Sequence, residues 1–487
     1  MKNRIAFFVF VFFLVLISIT IVRAQVDTLW TKTFGGIYSD VGYSVQQTSD
    51  GGYIIIGNTG SFGAGLYDIW LIKTNDLGDT LWTKTFGGND YEDGREVQQT
   101  IDGGYILIGG TGSFGGGEYD AWLIKTDSLG GTLWTKTIGG IYPDEGRSIQ
   151  QTTDGGYIIT GATGSLGDFS NVWLIKTDSF GDTLWTKSFG GNEVEEGWLI
   201  QLTTDGGYII TGRTESFGAG SWDIWLIKTD SYGDTLWTKT LGGSGTDYGY
   251  STQQTTDGGY IITGYTTSFG AGSEDFWLIK TDSVGETLWL KTFGGINSDR
   301  GYSVQQTIDG GYIITGGTSS FGVGALWLVK TDSYGDTMWT KTLGDSSVGR
   351  SIQKTTDGGY IIAGITSSLS AGLTDIYLLK TTPDVSNLEP NKNLIPSDFS
   401  LAQNYPNPFN PSTKISWQSP VGSWQTLKIY DVLGNEVSTL VDEYKPAGKY
   451  EVEFNSSSGI RDLASGIYFY QLESGDFVGT KKMILLK

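Results

Sequence analysis

Between residues 28 and 381 the chain alternates short apolar runs with polar, glycine-rich breaks, and the alternation is periodic. The octet Asp205-Gly206-Gly207-Tyr208-Ile209-Ile210-Thr211-Gly212 recurs in seven near-copies. They begin at Asp50, Asp102, Asp154, Asp205, Asp257, Asp309 and Asp357, at steps of 52, 52, 51, 52, 52 and 48 residues. Each period holds four strand-like runs; in the second they are residues 96–100, 105–109, 121–125 and 132–136. The second and third runs, Tyr105-Ile106-Leu107-Ile108 and Ala121-Trp122-Leu123-Ile124, are apolar at consecutive positions. A strand reads this way when both faces of its sheet are covered. Four such strands per period predict the blades of a β-propeller, with a solenoid of four-strand turns as the rival.

The connections are of two kinds. Thr-X-Asp-Gly-Gly joins the first and second strands, and Asp-Ser-X-Gly-Asp-Thr, as at 230–235, joins the third and fourth. Aspartate favours the start of a type I turn and glycine supplies the positive φ after it, so both read as hairpins. With Gly78 left-handed in a three-residue loop, Trp70 is expected opposite Lys84. The other two connections vary from copy to copy: one follows Gly-Gly after the fourth strand, the other follows Ser-Phe-Gly. In an antiparallel blade these two emerge on the same face, so one face of the disc is constant and the other diversified.

The unit Asp154-Gly155-Gly156-Tyr157, then Trp173-Leu174-Ile175-Lys176-Thr177-Asp178, then Gly181 and Trp185, resembles the repeat of quinoprotein-type propellers. That resemblance implies a phase in which the Gln-Gln-Thr strand is innermost and the Leu-Trp-Thr-Lys strand outermost. The repeats would then open with an outermost strand at 28–34 and end with a third strand at 375–381. The expectation is seven blades over 26–382, closed by the N-terminal strand, with Trp30 beside Tyr377.

Residues 383–397, with Pro383, Pro390 and Pro396, break the period as an extended linker. Beyond them, alternating strands at 414–417, 426–430, 450–454, 466–472 and 481–486, with Gly434, Gly448 and Gly475 in the turns, predict a small immunoglobulin-like β-sandwich over 398–487. The opening Asn404-Tyr405-Pro406-Asn407-Pro408-Phe409-Asn410-Pro411, then Leu427-Lys428-Ile429-Tyr430-Asp431, Pro446-Ala447-Gly448, Leu463-Ala464-Ser465-Gly466 and the closing Lys481-Lys482-Met483-Ile484-Leu485-Leu486-Lys487 carry a second resemblance. They closely resemble the type A C-terminal sorting domain of the type IX secretion system. The resemblance implies a Gram-negative bacterium of the Bacteroidota–Chlorobiota type, and a partner in the secretion machinery through residues 398–487. It also implies passage through both membranes, and cargo that is released or attached to the cell surface.

At the other end, Lys2 and Arg4 precede an apolar run from 5 to 22, and Val22-Arg23-Ala24 offers small residues for a peptidase. Residues 1–24 read as a secretory signal peptide, with an uncleaved anchor as the alternative. No membrane span is expected once the signal is removed, and a monomer is expected.

Composition narrows the chemistry. The chain has no cysteine and no histidine. A disulfide framework, a thiolate metal site and a Ser-His-Asp triad are therefore excluded. The net charge is −21, and without Lys2, Arg4 and Arg23 it stands at −24. Such a surface repels phosphate backbones, so no nucleic-acid partner is expected. The carboxylates Asp178, Asp182, Asp230 and Asp234 flank hairpins but lack calcium-loop spacing, so turn chemistry accounts for them and no metal or cofactor is expected. No carboxylate pair stands out from the sevenfold background, and the reading is non-enzymatic. Two tryptophan columns, one running from Trp70 to Trp327 and one from Trp82 to Trp339, read as inter-blade core.

The channel entrance is the candidate site. After the glycine of the innermost strand the copies read Tyr43, Arg95, Arg147, Trp198, Tyr250, Tyr302 and Arg350; two residues before it they read Asp40, Glu92, Asp144, Glu195, Asp247, Asp299 and Ser347. Aromatics and arginines beside acids make a mouth for a glycan, peptide or protein. A mutually neutralised rim is the competing reading.

Overall fold

The computed structural model describes residues 26–384 apart from 168, and 398–487 apart from 422, 446–447, 457–462 and 476. The expected signal peptide and residues 385–397 of the expected linker lie outside these. Chain contacts divide the protein into two units, Met1–Asn387 and Leu388–Lys487.

The first unit consists of seven four-stranded antiparallel sheets. In the first blade, β2 (Asp40–Gln47) pairs with β3 (Tyr53–Thr59), which pairs with β4 (Asp68–Thr74), which pairs with β5 (Thr80–Phe86). The second and third strands are buried at every position, as their unbroken apolar runs predict, and the outermost strand alternates towards solvent. Apolar clusters lie between blades: Ile54, Ile56, Ile69 and Leu71 of one blade pack on Val97, Tyr105, Leu107, Trp122 and Ile124 of the next. The Trp70–Trp327 column is buried, whereas Trp82, Trp134, Trp185, Trp237 and Trp289 are half-buried and pack against the neighbouring cluster. Gly78 shows how close that packing is. It has a φ of +76° and a Cβ there would sit 2.6 Å from the Trp30 ring, so only glycine meets both demands.

β1 (Thr28–Phe34) is the outer strand of the last blade, paired with Asp375–Thr381. The closure is as expected but its register is not: Trp30 stands opposite Lys380, and Tyr377 opposite Thr33. In the first blade's outer hairpin the difference is one residue: Trp70 faces Thr85 and Lys73 faces Trp82, not the expected Trp70–Lys84 pair. The three-residue loop is present, closed by Asn75 N donating to Asp79 O at 2.9 Å. The outer strand then carries one extra residue, Leu81, between Thr80 and Trp82, and this bulge shifts everything beyond it by one.

The new register gives the repeated lysine its role. Lys73 is buried and its Nζ reaches Asp50 at 2.9 Å and Thr74 O at 2.9 Å. Asp50 also takes Thr48 Oγ1 at 2.5 Å and Gly52 N at 3.0 Å, so one carboxylate ties the inner hairpin to the third strand. The pair recurs as Lys125–Asp102, Lys176–Asp154, Lys228–Asp205, Lys280–Asp257, Lys330–Asp309 and Lys380–Asp357, all at 2.8–3.0 Å. Glutamines join the blades around the channel. The Gln46 side chain accepts from Gln99 N at 2.6 Å, Gln98 from Gln151 N at 2.7 Å and Gln150 from Leu202 N at 2.9 Å, and the relay continues round the ring to Gln353 and Gln47 N. Pro383 and Asp384, read as linker, continue from the last blade: Tyr360 Oη donates to the buried Asp384 at 2.9 Å.

The second unit is all β. One sheet joins Ser400–Leu401, Ser412–Ser419 and Gly448–Asn455; the other orders Glu436–Lys445, Ser423–Tyr430, Gly466–Ser474 and Phe477–Leu485. Ile415, Trp417, Leu427, Ile429, Tyr470, Leu472 and Met483 form its single core. Strand Glu436–Lys445 was not among those expected, and Gly448 opens a strand. Gly434 and Gly475 take positive φ in turns as expected.

Candidate functional site

Each innermost strand carries a bulge of its own. In the first blade Gly42 pairs with Gly57, but Ser44 pairs with Ile56, which leaves Tyr43 unpaired in the ladder. The glycines make this possible: a Cβ on Gly57 would sit 1.9 Å from Val41 O. The same slip sets off Arg95, Arg147, Trp198, Tyr250, Tyr302 and Arg350. A bulge re-aims a side chain away from the regular alternation. All seven line one cavity of about 140 Å³. A channel of about 250 Å³ is lined by the inner strands, among them Ser44, Glu96 and the glutamines Gln46, Gln98, Gln150 and Gln253.

The ring is in contact with itself. The Arg95 guanidinium lies 4.8 Å from the Tyr43 ring centre, Arg147 4.0 Å from Trp198, and Arg350 4.9 Å from Tyr43 and 5.5 Å from Tyr302. Trp198 meets Tyr250 edge-on at 5.3 Å, and Tyr250 meets Tyr302 at 5.0 Å. On the shoulder, Arg213 stacks on Trp222 at 3.9 Å and on Tyr248 at 4.4 Å.

The expected acidic ring is elsewhere. Asp40, Glu92, Asp144, Glu195, Asp247, Asp299 and Ser347 are all 0 % exposed. Asp40 accepts from Gly36 N at 2.9 Å and Ser61 Oγ at 2.7 Å; Glu92 accepts from Gly88 N and Thr111 Oγ1, both at 2.9 Å. Asp144, Glu195, Asp247 and Asp299 take the matching glycine amide, and Ser347 pairs with Thr366 Oγ1 at 2.8 Å. These groups pin the two variable loops together and do not face the mouth.

The acids that do meet the ring stand one residue later: Asp93, Glu145 and Glu196. Arg95 pairs with Asp93, and Arg147 with Glu145 at 2.7 Å and Glu196 at 2.8 Å. Burial opposes charge on Glu196, but Arg147 and Arg213 outweigh it and bring its pKa down to about 2. One more group escaped the sequence reading. Glu96 stands where five blades have Ser44, Ser148, Ser251, Ser303 and Ser351, and it lines both cavities. Burial pushes its carboxyl up to about 7 against hydrogen bonds from Ser148 and Ile149 N. The signal that could have found these residues was variation: the column holding Asp93, Glu145 and Glu196 also holds Val41, Tyr248, Arg300 and Val348, whereas the buried acids barely change.

Comparison with known proteins places the second unit. Residues 403–486 match the model of the secretion system C-terminal sorting domain. This part of the chain is a type IX sorting domain. In the sorting domain Asn407 and Phe409 of the signature hold the last strand: Phe409 N donates to Ile484 O at 2.9 Å, Leu486 N to Phe409 O at 3.0 Å, and Ile484 N to Asn407 Oδ1 at 2.9 Å. The sorting domain marks the chain for type IX export to the cell surface or extracellular space, and so for contact with that machinery. Among the described residues no helix is long and apolar enough to cross a membrane.

A regulatory protein of Caulobacter vibrioides, FlaEY, is 25% identical over 152 residues, covering 26% of this chain and 16% of that protein. The chain therefore spans about a sixth of that relative's length. Among solved structures, a protein of unknown function from Bacteroides caccae matches at 15% identity, covering 60% of this chain and 93% of that one, with a TM-score of 0.37. Chaetomium thermophilum Sqt1, bound to the N-terminus of ribosomal protein L10, matches at 10% identity, covering 73% and 99%, with a TM-score of 0.42. At these TM-scores the likenesses add nothing to the architecture read from the strands.

Proposed function

We propose that this is an exported, non-enzymatic binding protein whose propeller mouth takes a glycan, peptide or protein. One observation carries the reading. The bulge column is structurally identical in seven blades, yet it holds three arginines, three tyrosines and a tryptophan around one cavity. The glycine directly before it is the same in all seven copies, as a framework residue should be. Aromatic faces with a few fixed charged groups are what ligand sites use.

The test is a glycan array and protein pull-down with the full-length chain, beside Trp198→Ala and a variant with Tyr43, Trp198, Tyr250 and Tyr302 all changed to Ala. Saturable binding lost in both variants supports the proposal. A folded chain that binds nothing favours a second reading, a surface component with a self-neutralised rim. The ion pairs of Arg95 and Arg147 support that alternative.

A further inference from the structure

Charge at the mouth is uneven. All five arginines of residues 26–384 gather at this rim: Arg95, Arg147, Arg213, Arg300 and Arg350. Four are ion-paired, with Asp93, Glu145, Glu196 and Glu274. Arg350 has no ion pair among the described residues. In its blade the column that supplies Asp93, Glu145 and Glu196 holds Val348, and the strand-start acid is replaced by Ser347. Its Nε is shut off from solvent with no hydrogen-bond partner, and so is Trp198 Nε1 on the same ring. A shielded donor with no acceptor is costly in a folded protein. Tyrosine faces hold the guanidinium in place without neutralising it.

Size and access add to this. The cavity of about 140 Å³ is close to the ~150 Å³ that holds one benzene-sized ring. Beside it, the blade-six loop is shortened. Gly324 stands where other blades have Tyr67, Tyr119, Trp222 or Glu274, and a notch of about 160 Å³ opens there, lined by Arg300, Tyr302 and Val348. Tyr302 borders both spaces, so a group seated in the cavity has a side exit for whatever it is attached to.

We propose that the mouth seats one acidic pyranose, a uronic acid or a sulfated hexose, with its oxyanion on Arg350 and its ring face against Tyr43 and Tyr302. This rests on the mouth being a ligand site, and it names the ligand's chemistry. A planar guanidinium matches carboxylate or sulfate oxygens in a way an ammonium does not. Strong net acidity does not forbid the contact, because at physiological salt exposed charges beyond about 8 Å are largely screened.

Calorimetric titration of the full-length chain tests this with three probes: uronic-acid oligosaccharides, sulfated oligosaccharides and neutral ones of the same linkage. Each is run on the parent, Arg350→Ala, Arg350→Lys and Trp198→Ala, with circular dichroism confirming the fold. The expected result is saturable binding of at least one acidic probe and none of the neutral one. Arg350→Ala should weaken it by roughly tenfold or more, with only part recovered in Arg350→Lys. Which acidic probe binds separates carboxylate from sulfate. Equal binding of the neutral probe, or acidic binding indifferent to Arg350, overturns the inference; if Trp198→Ala still abolishes that binding, the mouth survives as a ligand site. No binding of any glycan by the folded chain, or capture of peptides alone, also overturns it.

Discussion

Arg147 holds its guanidinium 4.0 Å from the centre of the Trp198 ring while its Nη1 donates to Glu196 at 2.8 Å. One side chain thus bridges two blades through a ring face and a carboxylate. Removing it leaves the part-exposed Glu145 without its arginine and Glu196 with Arg213 alone. Arg147→Ala should lower the unfolding free energy by about 1.5–3 kcal/mol, the worth of hydrogen bonds to a charged group. Arg350→Ala leaves no carboxylate unpaired and should stay within about 0.5 kcal/mol of the parent. Urea unfolding of both variants checks the contrast.

The Asp205–Lys228 pair should be asymmetric in its response. Lys228 is buried and Asp205 is more than half exposed. Asp205→Asn removes the counter-ion of a buried ammonium and should cost about 1.5–3 kcal/mol, the worth of hydrogen bonds to a charged group. Lys228→Met leaves a carboxylate that water can reach and should cost less. Thermal unfolding of the two variants decides it; equal losses would count against the asymmetry.

These aspartates also set an acid limit. Burial raises the Asp154 and Asp205 carboxyls, but hydrogen bonds from threonine, lysine and the glycine amide prevail and bring them down to about 2. A lowered folded pKa gives stability that is full above the ordinary value of 3.8 and lost as pH falls towards 2. Melting temperature should therefore hold from neutral pH to about 4 and then fall, a decline blunted in the seven-fold Asp→Asn variant.

Glu96 works with the opposite sign. Its folded pKa of about 7 lies above the ordinary 4.5, so the folded state keeps a proton that the unfolded chain has released. Its contribution to stability is full below 4.5 and declines as pH rises through 7. Glu96→Ser, the residue of five other blades, should raise the melting temperature at pH 8 and change it little at pH 4. A difference independent of pH would refute the assignment.

Packing predicts a sharp contrast on one hairpin. Trp225 is buried among Tyr208, Ile210 and Ile227, and Trp225→Ala should cost about 3–5 kcal/mol. Leu236, the extra residue of the outer bulge, is 57% exposed, and Leu236→Ser should stay within about 0.5 kcal/mol. Chemical denaturation distinguishes a core tryptophan from a surface leucine in the same blade.

Much of this molecule was legible in its sequence because near-identical repeats state each structural demand seven times. The repeat count and both hairpins followed from the period and the Asp-Gly turns, and the closure by the run at 28–34 followed from the blade phase that the resemblance to quinoprotein-type propellers implies. The one-residue error in the Trp70 hairpin has a plain cause. A bulge such as Leu81 leaves no mark in the apolar pattern, because the exposed leucine looks like any strand residue. The acid ring was misplaced for a related reason. Tyr43 is the extra residue of a second bulge, which re-aims its side chain, whereas Asp40 stays in the regular ladder opposite Thr59, and nothing in the repeat marks that difference. What every blade shares is latch and core, and what the blades do not share lies at the channel mouth and in the two variable loops.

The pairing of β1 with the last blade makes the disc a hoop. A rod cut once falls into two pieces. A hoop cut once is still a single object, because each fragment remains stitched to its neighbours by the glutamine relay and by the strand at the seam. For a protein destined for the cell surface or the medium, a single nick in a variable loop is therefore survivable. Two cuts on opposite sides, or the loss of residues 28–34, are what would let it come apart.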